Sequence, residues 1–184
     1  MIEIVSPRED WPRDFASLKA AILRAVPSLS AIHHIGSTAV AGLVAKDVID
    51  IQVTVDDLAA VDVGAFERAG FLPRPIFTDH CPPGLDLPAE ELAKRFFKSA
   101  GRPANLHVRE RGRFNQRYAL LCRDFLRSHP RAAAAYGAVK QQLAARFPAD
   151  ADAYYDIKDP VFDIIMAGAE EWASRVGWSV PSDD

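Results

Sequence analysis

The sequence predicts an α+β fold in which the strands come first and the helices last. Short apolar runs, several alternating with polar residues, occupy the chain up to about residue 110. Beyond it, apolar residues recur at three- and four-residue spacing, as on the buried face of a helix. No internal repeat or low-complexity tract interrupts this order. With 184 residues the chain is expected to form one domain, with a sheet core over about 1–110 and a helical part over about 111–178.

Residues 2–5 read as a short lead-in strand. Trp11 to Val26 is helical by period, through Phe15, Leu18, Ile22 and Val26, and Pro27 stops it. Ala31 to Ile35 is a strand ending at Gly36-Ser37. Val48 to Val55 alternates: Val48, Asp50, Gln52 and Thr54 face one way, Ile49, Ile51, Val53 and Val55 the other. Asp57 to Ala69 is an amphipathic helix closed by Gly70. Five prolines between Pro73 and Pro88 mark a long loop. Strands near Arg95–Lys98 and Asn105–Arg109 form a hairpin through Gly101-Arg102-Pro103. Phe114, Tyr118, Leu121, Cys122 and Phe125 line one helix, and a second runs from Arg131 to Phe147. Asp159 as N-cap and Pro160 at the first helical position start the last helix, which carries Phe162, Ile165, Met166, Ala169 and Trp172.

Composition is that of an ordinary globular chain, about half hydrophobic and a quarter charged. Cys81 and Cys122 are too few for a disulfide scaffold and are expected as free thiols. The first residues lack the basic and apolar regions of a signal peptide, and no run is long enough to span a membrane, so a cytoplasmic location is expected. The net charge is −3, yet eleven of the 22 Lys and Arg fall between Lys94 and Arg131 against only Glu110 and Asp124. Such clustering points to an anionic, phosphate-bearing ligand. Phe96, Phe97, Phe114 and Tyr118 interleave the basic window, but the negative total argues against a nucleic-acid groove.

The stretch IHHIGSTAVAGLVAKDVIDIQV, residues 32–53, carries the chemistry. Gly36 permits close approach of a backbone, and Ser37 and adjacent amides suit phosphate oxygens. Asp50 follows Ser37 by thirteen residues on an apolar strand, where an ionised group calls for a partner or a metal such as Mg2+. HIGSTAVAGLVAKDVIDI resembles the signature of the GrpB family. LHVRE at 106–110, LCRDFLRSHP at 121–130, YGAVKQQLA at 136–144 and YYDIKDPVF at 154–162 resemble its further blocks, in order.

The resemblance implies a nucleotidyltransferase-like mixed β-sheet flanked by helices, with the C-terminal helices packed on it. Such domains occur alone or fused to dephospho-CoA kinase. It implies a nucleoside triphosphate bound with Mg2+: His34, Gly36, Ser37 and Gln52 on the ligand, Asp50 as metal ligand and catalytic residue, and His107, in the LHV strand where a third carboxylate is looked for, as a further catalytic candidate. The superfamily pattern has a second carboxylate where this chain has Gln52. Arg123, Lys140 and Lys158 are expected to neutralise phosphate charge from the helical side, Lys158 from just before the helix that Asp159 caps. Gln52 also motivates a second reading, a non-catalytic nucleotide- or CoA-binding module acting with a partner protein. Thr78-Asp79-His80-Cys81 has no zinc-site spacing.

Overall fold

The computed structural model of the chain describes residues 1–29 and 31–183. Its elements are α1 (Trp11–Ala25), β1 (Ala31–Ile35), β2 (Ile49–Val55), α2 (Val63–Arg68), β3 (Phe71–Arg74), β4 (Lys94–Ser99), β5 (Ala104–Glu110), α3 (Phe114–Ser128), α4 (Pro130–Arg146) and α5 (Ala151–Val176). The sheet has the order β1-β2-β5-β4-β3. β2 and β5 pair in parallel, and every other pairing is antiparallel. A parallel pair needs a long crossover, which α2, β3 and β4 supply here.

Because side chains alternate across a strand, the sheet has two chemically distinct faces. Ile49, Ile51, Val53, Leu106, Val108 and Phe97 form a core with Trp11, Phe15 and Ile22 of α1 and Phe66 of α2. The opposite face carries Asp50, Gln52, Asn105, His107, Lys94 and Phe96, with Asp50 opposite Asn105 and Gln52 opposite His107. Helices α3 to α5 have their own contacts: Leu126, Ala133 and Tyr136 in one cluster, Leu121, Cys122, Met166, Ala169 and Ala173 in another. Both cysteines are free thiols.

β1 is an edge strand. Its Ile32 amide donates to Asp183 Oδ1 at 2.8 Å, and its His34 carbonyl accepts from Arg123 Nη1 at 3.0 Å. Lys19 holds the same Asp183 at 2.6 Å, which ties the end of the chain to α1.

Four elements differ from the expectation. Residues 2–5 make only a bridge, Val5 to Ala45. The helix expected from Asp57 is confined to Val63–Arg68, because Asp57 turns back onto the Ala59 amide and Asp62 caps instead, accepting from Ala65 N. β3 forms despite Pro73, which at the sheet edge needs no N–H toward solvent. α5 starts at Ala151, not at Asp159. Asp150 caps it by accepting from Ala153 N at 3.0 Å, and Pro160 lies inside. A proline there removes one helical hydrogen bond. Anchors on both sides, Tyr154 before it and Met166, Ala169 and Ala173 after it, keep the helix continuous.

Leu106 is completely buried on β5, at the centre of the sheet. Leu106→Ala is expected to cost about 2–5 kcal/mol. The check is a shift of the urea midpoint with an unchanged slope.

Candidate functional site

Between the polar face of the sheet and helices α3 to α5 lies a cavity of about 860 Å³. That is within the range of small-molecule sites, about 300–1,000 Å³. Asp50 reaches into it from β2. Its Oδ1 accepts from Asn105 Nδ2 at 2.8 Å. Burial raises its pKa above the ordinary 3.8, opposed by the Asn105 bond and by Lys158, Arg109 and Lys140.

Gly36 ends β1 against this carboxylate. Its φ of 70° is a region that residues with side chains rarely adopt, and a Cβ there would overlap Asp50 Oδ2. The sharp turn brings Ser37 into the cavity wall at the start of a single helical turn, Ser37–Ala39. Lys140 of α4 reaches across to it: Nζ lies 2.7 Å from Ser37 Oγ and 2.6 Å from the Val44 carbonyl. Burial and Lys158 lower the Lys140 pKa to about 7, against which Asp50 acts only in part. Lys158, on α5, lines the same cavity and pairs with Asp159 Oδ1 at 2.5 Å.

A second carboxylate, Asp79, enters from the proline-rich loop. Arg109 Nε donates to its Oδ2 at 2.8 Å, Lys94 Nζ to its Oδ1 at 2.5 Å, and Asn115 Nδ2 to Oδ2 at 3.1 Å. Although burial opposes it, these cations hold the Asp79 carboxyl far below the usual range. Asp79 is thus saturated by the sheet and α3, whereas Asp50 keeps an oxygen toward the Gly36 turn. Seven Lys and Arg and three Asp line the cavity. Within a chain of net charge −3 this concentrates positive potential at one place.

The family model described as GrpB protein matches residues 1–167, a span that holds every residue of this cavity. The chain belongs to the GrpB family. Among its relatives, a dephospho-CoA kinase of Mycolicibacterium paratuberculosis is 36% identical over 196 residues, covering 96% of this chain and 48% of that protein. The UPF0157 protein YqkA of Bacillus subtilis is 32% identical over 174 residues, covering 93% of this chain and 48% of YqkA. The chain therefore spans about half the length of these curated relatives. The crystal structure of the conserved protein GrpB from Enterococcus faecalis covers 92% of this chain, with 99% of its own length aligned, at a TM-score of 0.74 and 26% identity.

Of the residues expected at the site of this GrpB-family chain, Gly36, Ser37, Asp50, His107, Arg123, Lys140 and Lys158 come together around the cavity. His34 does not. The register β1–β2 sets Ile35 opposite Asp50, so His34 shares the α1 face with Ile51. There it stacks on Phe15 at 4.8 Å, and its Nε2 lies 2.9 Å from Thr38 Oγ1. Gln52 is fully buried with both amide ends in use: Nε2 donates to the Gln116 carbonyl, and Oε1 accepts from Arg109. It braces the sheet against α3 and offers the cavity no coordinating oxygen. His107 is held neutral by burial and by Arg109 and Lys94. A guanidinium only donates, so His107 Nδ1 accepts from Arg109 Nη2 at 3.3 Å and Nε2 carries the proton. That leaves the Nε2–H of this lining residue as a hydrogen-bond donor. Arg123 is almost wholly buried, on the His34 carbonyl and on Asp124, and forms wall more than binding surface. Lys158 is not beside a helix N-terminus but two turns inside α5, so no helix dipole assists it.

Asn105 is not singled out in the sequence, and Asp79 enters there only within Thr78-Asp79-His80-Cys81, a stretch without zinc-site spacing. The parallel register would have flagged Asn105, which stands where β5 presents its side chain to Asp50. Asp79 has no local signal, since all its partners come from other elements.

Three outcomes test this arrangement. A buried acid with a raised folded pKa costs stability once the pH exceeds its unfolded value, so Asp50→Asn should stabilise the ligand-free protein at pH 7 by about 1–3 kcal/mol in thermal unfolding. Gly36→Ala should instead destabilise by about 1–3 kcal/mol, through backbone strain and collision with Asp50. Lys140 carries the opposite sign: its folded pKa of about 7 lies below the ordinary 10.5. The unfolded chain then binds the extra proton, so this residue makes stability rise with pH above about 7. Unfolding curves of Lys140→Met should lack that part of the rise.

Proposed function

We propose that this GrpB-family domain binds a nucleoside triphosphate together with one divalent cation, as a nucleotidyltransferase-like protein. The observation that carries the reading is a partly buried carboxylate, Asp50, set against a tight Gly-Ser turn and faced across one cavity by Lys140 and Lys158. Such a site suits a ligand that is itself anionic yet brings a cation. The lysines meet phosphate oxygens, and Asp50 meets the metal.

The donor set fits Mg2+ held in that way. Among the described residues no group of three or more His, Cys, Asp or Glu is placed to hold a metal ion. Mg2+ commonly takes one or two carboxylates and completes its octahedron with phosphates and water. Asp50 is the protein ligand, and Asn105 orients it through Oδ1. When bound, the ion would neutralise phosphate charge and polarise phosphorus–oxygen bonds. Ser37 would bond a phosphate oxygen, Lys140 and Lys158 would balance the remaining charge, and neutral His107 would donate from the sheet.

A second reading is favoured by one observation, the burial of Gln52. With no second carboxylate beside Asp50, the charge needed for two-metal chemistry is absent from this strand. On this reading the domain is a non-catalytic nucleotide- or CoA-binding module that acts with a partner protein. The long relatives named dephospho-CoA kinase make CoA-like phosphates the ligands to include.

The test is thermal unfolding with each nucleoside triphosphate and with CoA, with and without Mg2+. A ligand at 100 times its Kd adds about 2.7 kcal/mol, a rise of roughly 5–10 °C for a chain of this size. A Mg2+-dependent rise with a triphosphate, lost in Asp50→Asn, is the expected result; no rise with any triphosphate would sink the reading. A rise with slow or absent turnover selects the binding module. Affinity should weaken modestly as pH is raised above about 7, because the Lys140 charge that supplements Lys158 toward phosphate is lost.

A further inference from the structure

The contact between Ser37 and Lys140 has a chemistry of its own. Lys140 is a lysine with 3% exposure, and among the described residues no carboxylate lies within ion-pair distance of it. Among the described residues its Nζ is fixed by two acceptors, Ser37 Oγ at 2.7 Å and the Val44 carbonyl at 2.6 Å, with the Tyr136 ring 4.7 Å away. The charges that act on it are Lys158 from α5 and Asp50 from β2. A lysine kept for structure alone is normally paired with an acid or extended to water. One that is enclosed, unpaired and hydrogen-bonded to a hydroxyl is built like a base. Ser37 is built like its nucleophile. It follows a glycine in a conformation that side chains rarely adopt, stands at the start of a helical turn, and opens onto the cavity beside Asp50.

We propose that Ser37 and Lys140 form a nucleophile–base pair, and that Ser37 is itself the acceptor of a nucleotidyl group. The inference rests on the triphosphate reading above and supplies the acceptor which that reading lacks. In the step, Ser37 Oγ bonds to the α-phosphorus of the bound nucleoside triphosphate. The bond from that phosphorus to the oxygen bridging toward the β-phosphate breaks, and pyrophosphate leaves. The hydroxyl proton passes to Lys140 Nζ, and the product is a phosphodiester between Ser37 and the nucleoside monophosphate. The reaction is therefore self-modification, and it requires no external acceptor. The base function needs Lys140 unprotonated, and its pKa of about 7 meets that need near neutral pH. Phosphate charge in the cavity moves the working pH upward.

The experiment is intact-mass and fragment mass spectrometry of the full chain after incubation with each nucleoside triphosphate and Mg2+ over pH 6 to 9, with thermal shift recorded on the same samples. The expected result is an adduct of one nucleoside monophosphate unit on Ser37. Its rate should climb with pH and reach half its maximum at or above about 7. Ser37→Ala should abolish the adduct. Lys140→Arg, which preserves the positive charge but keeps it protonated, should slow the adduct at least tenfold at saturating triphosphate and flatten its rise with pH. A purely structural Lys140 would leave the pH profile unmoved in that variant. A thermal shift with no adduct, or an adduct on another residue, overturns the proposal and leaves triphosphate binding standing. Neither shift nor adduct overturns both.

Discussion

The parallel pairing of β2 with β5 is the constraint on which the cavity depends. It brings Asp50 beside Asn105, and Gln52 beside His107, on one face of a sheet whose other face carries the apolar core. A one-residue slip would turn the carboxylate into the α1 core and an isoleucine into the cavity. Complete burial of Ile49, Ile51, Val53, Leu106 and Val108 fixes the register, since each lies in the apolar layer. Packing energy on one side of the sheet thus sets the position of polar chemistry on the other.

Charge is distributed over that polar face in two settings. Around Asp79, cations and acid are matched and bonded: Arg109, Lys94 and Asn115 converge on one carboxylate, and Arg109 also reaches Gln52 and His107. This network joins the proline-rich loop, β4, β5 and α3, and its satisfied donors stiffen that end of the cavity. Around Asp50 the matching is incomplete. Its hydrogen-bond donor is a neutral amide, and Lys140 faces a hydroxyl and a carbonyl. Groups left in that condition resist ionisation, as the opposite shifts of Asp50 and Lys140 record. An incoming anion with its cation would relieve both at once.

Much of this was legible in the chain. Strict alternation marked β2 and its polar face, helical period marked α1, α3 and the later part of α5, and the Gly-Ser turn marked the phosphate candidates. The errors have separate physical origins. His34 was assigned by its nearness to Gly36 in sequence, although strand parity places adjacent residues on opposite faces. β3 was hidden by Pro73, a strand breaker everywhere except at an edge. The start of α5 was misplaced because Asp159-Pro160 is a good local cap, yet Asp150 provides one nine residues earlier and tertiary packing carries the helix through the proline. Asp79 and the sealing of Gln52 depend on contacts between segments far apart in sequence, for which no local pattern exists.

The two side chains that meet the margin of β1 also have a bearing on how copies of this chain meet one another. A bare sheet margin is a template onto which a foreign strand can add, and so a start for unwanted polymerisation. Here a carboxylate takes the Ile32 amide and a guanidinium takes the His34 carbonyl. Neither group can be part of a neighbouring backbone, so the ladder has no next rung on that side. Strand addition is opposed at these two positions of β1 by side chains of this same chain.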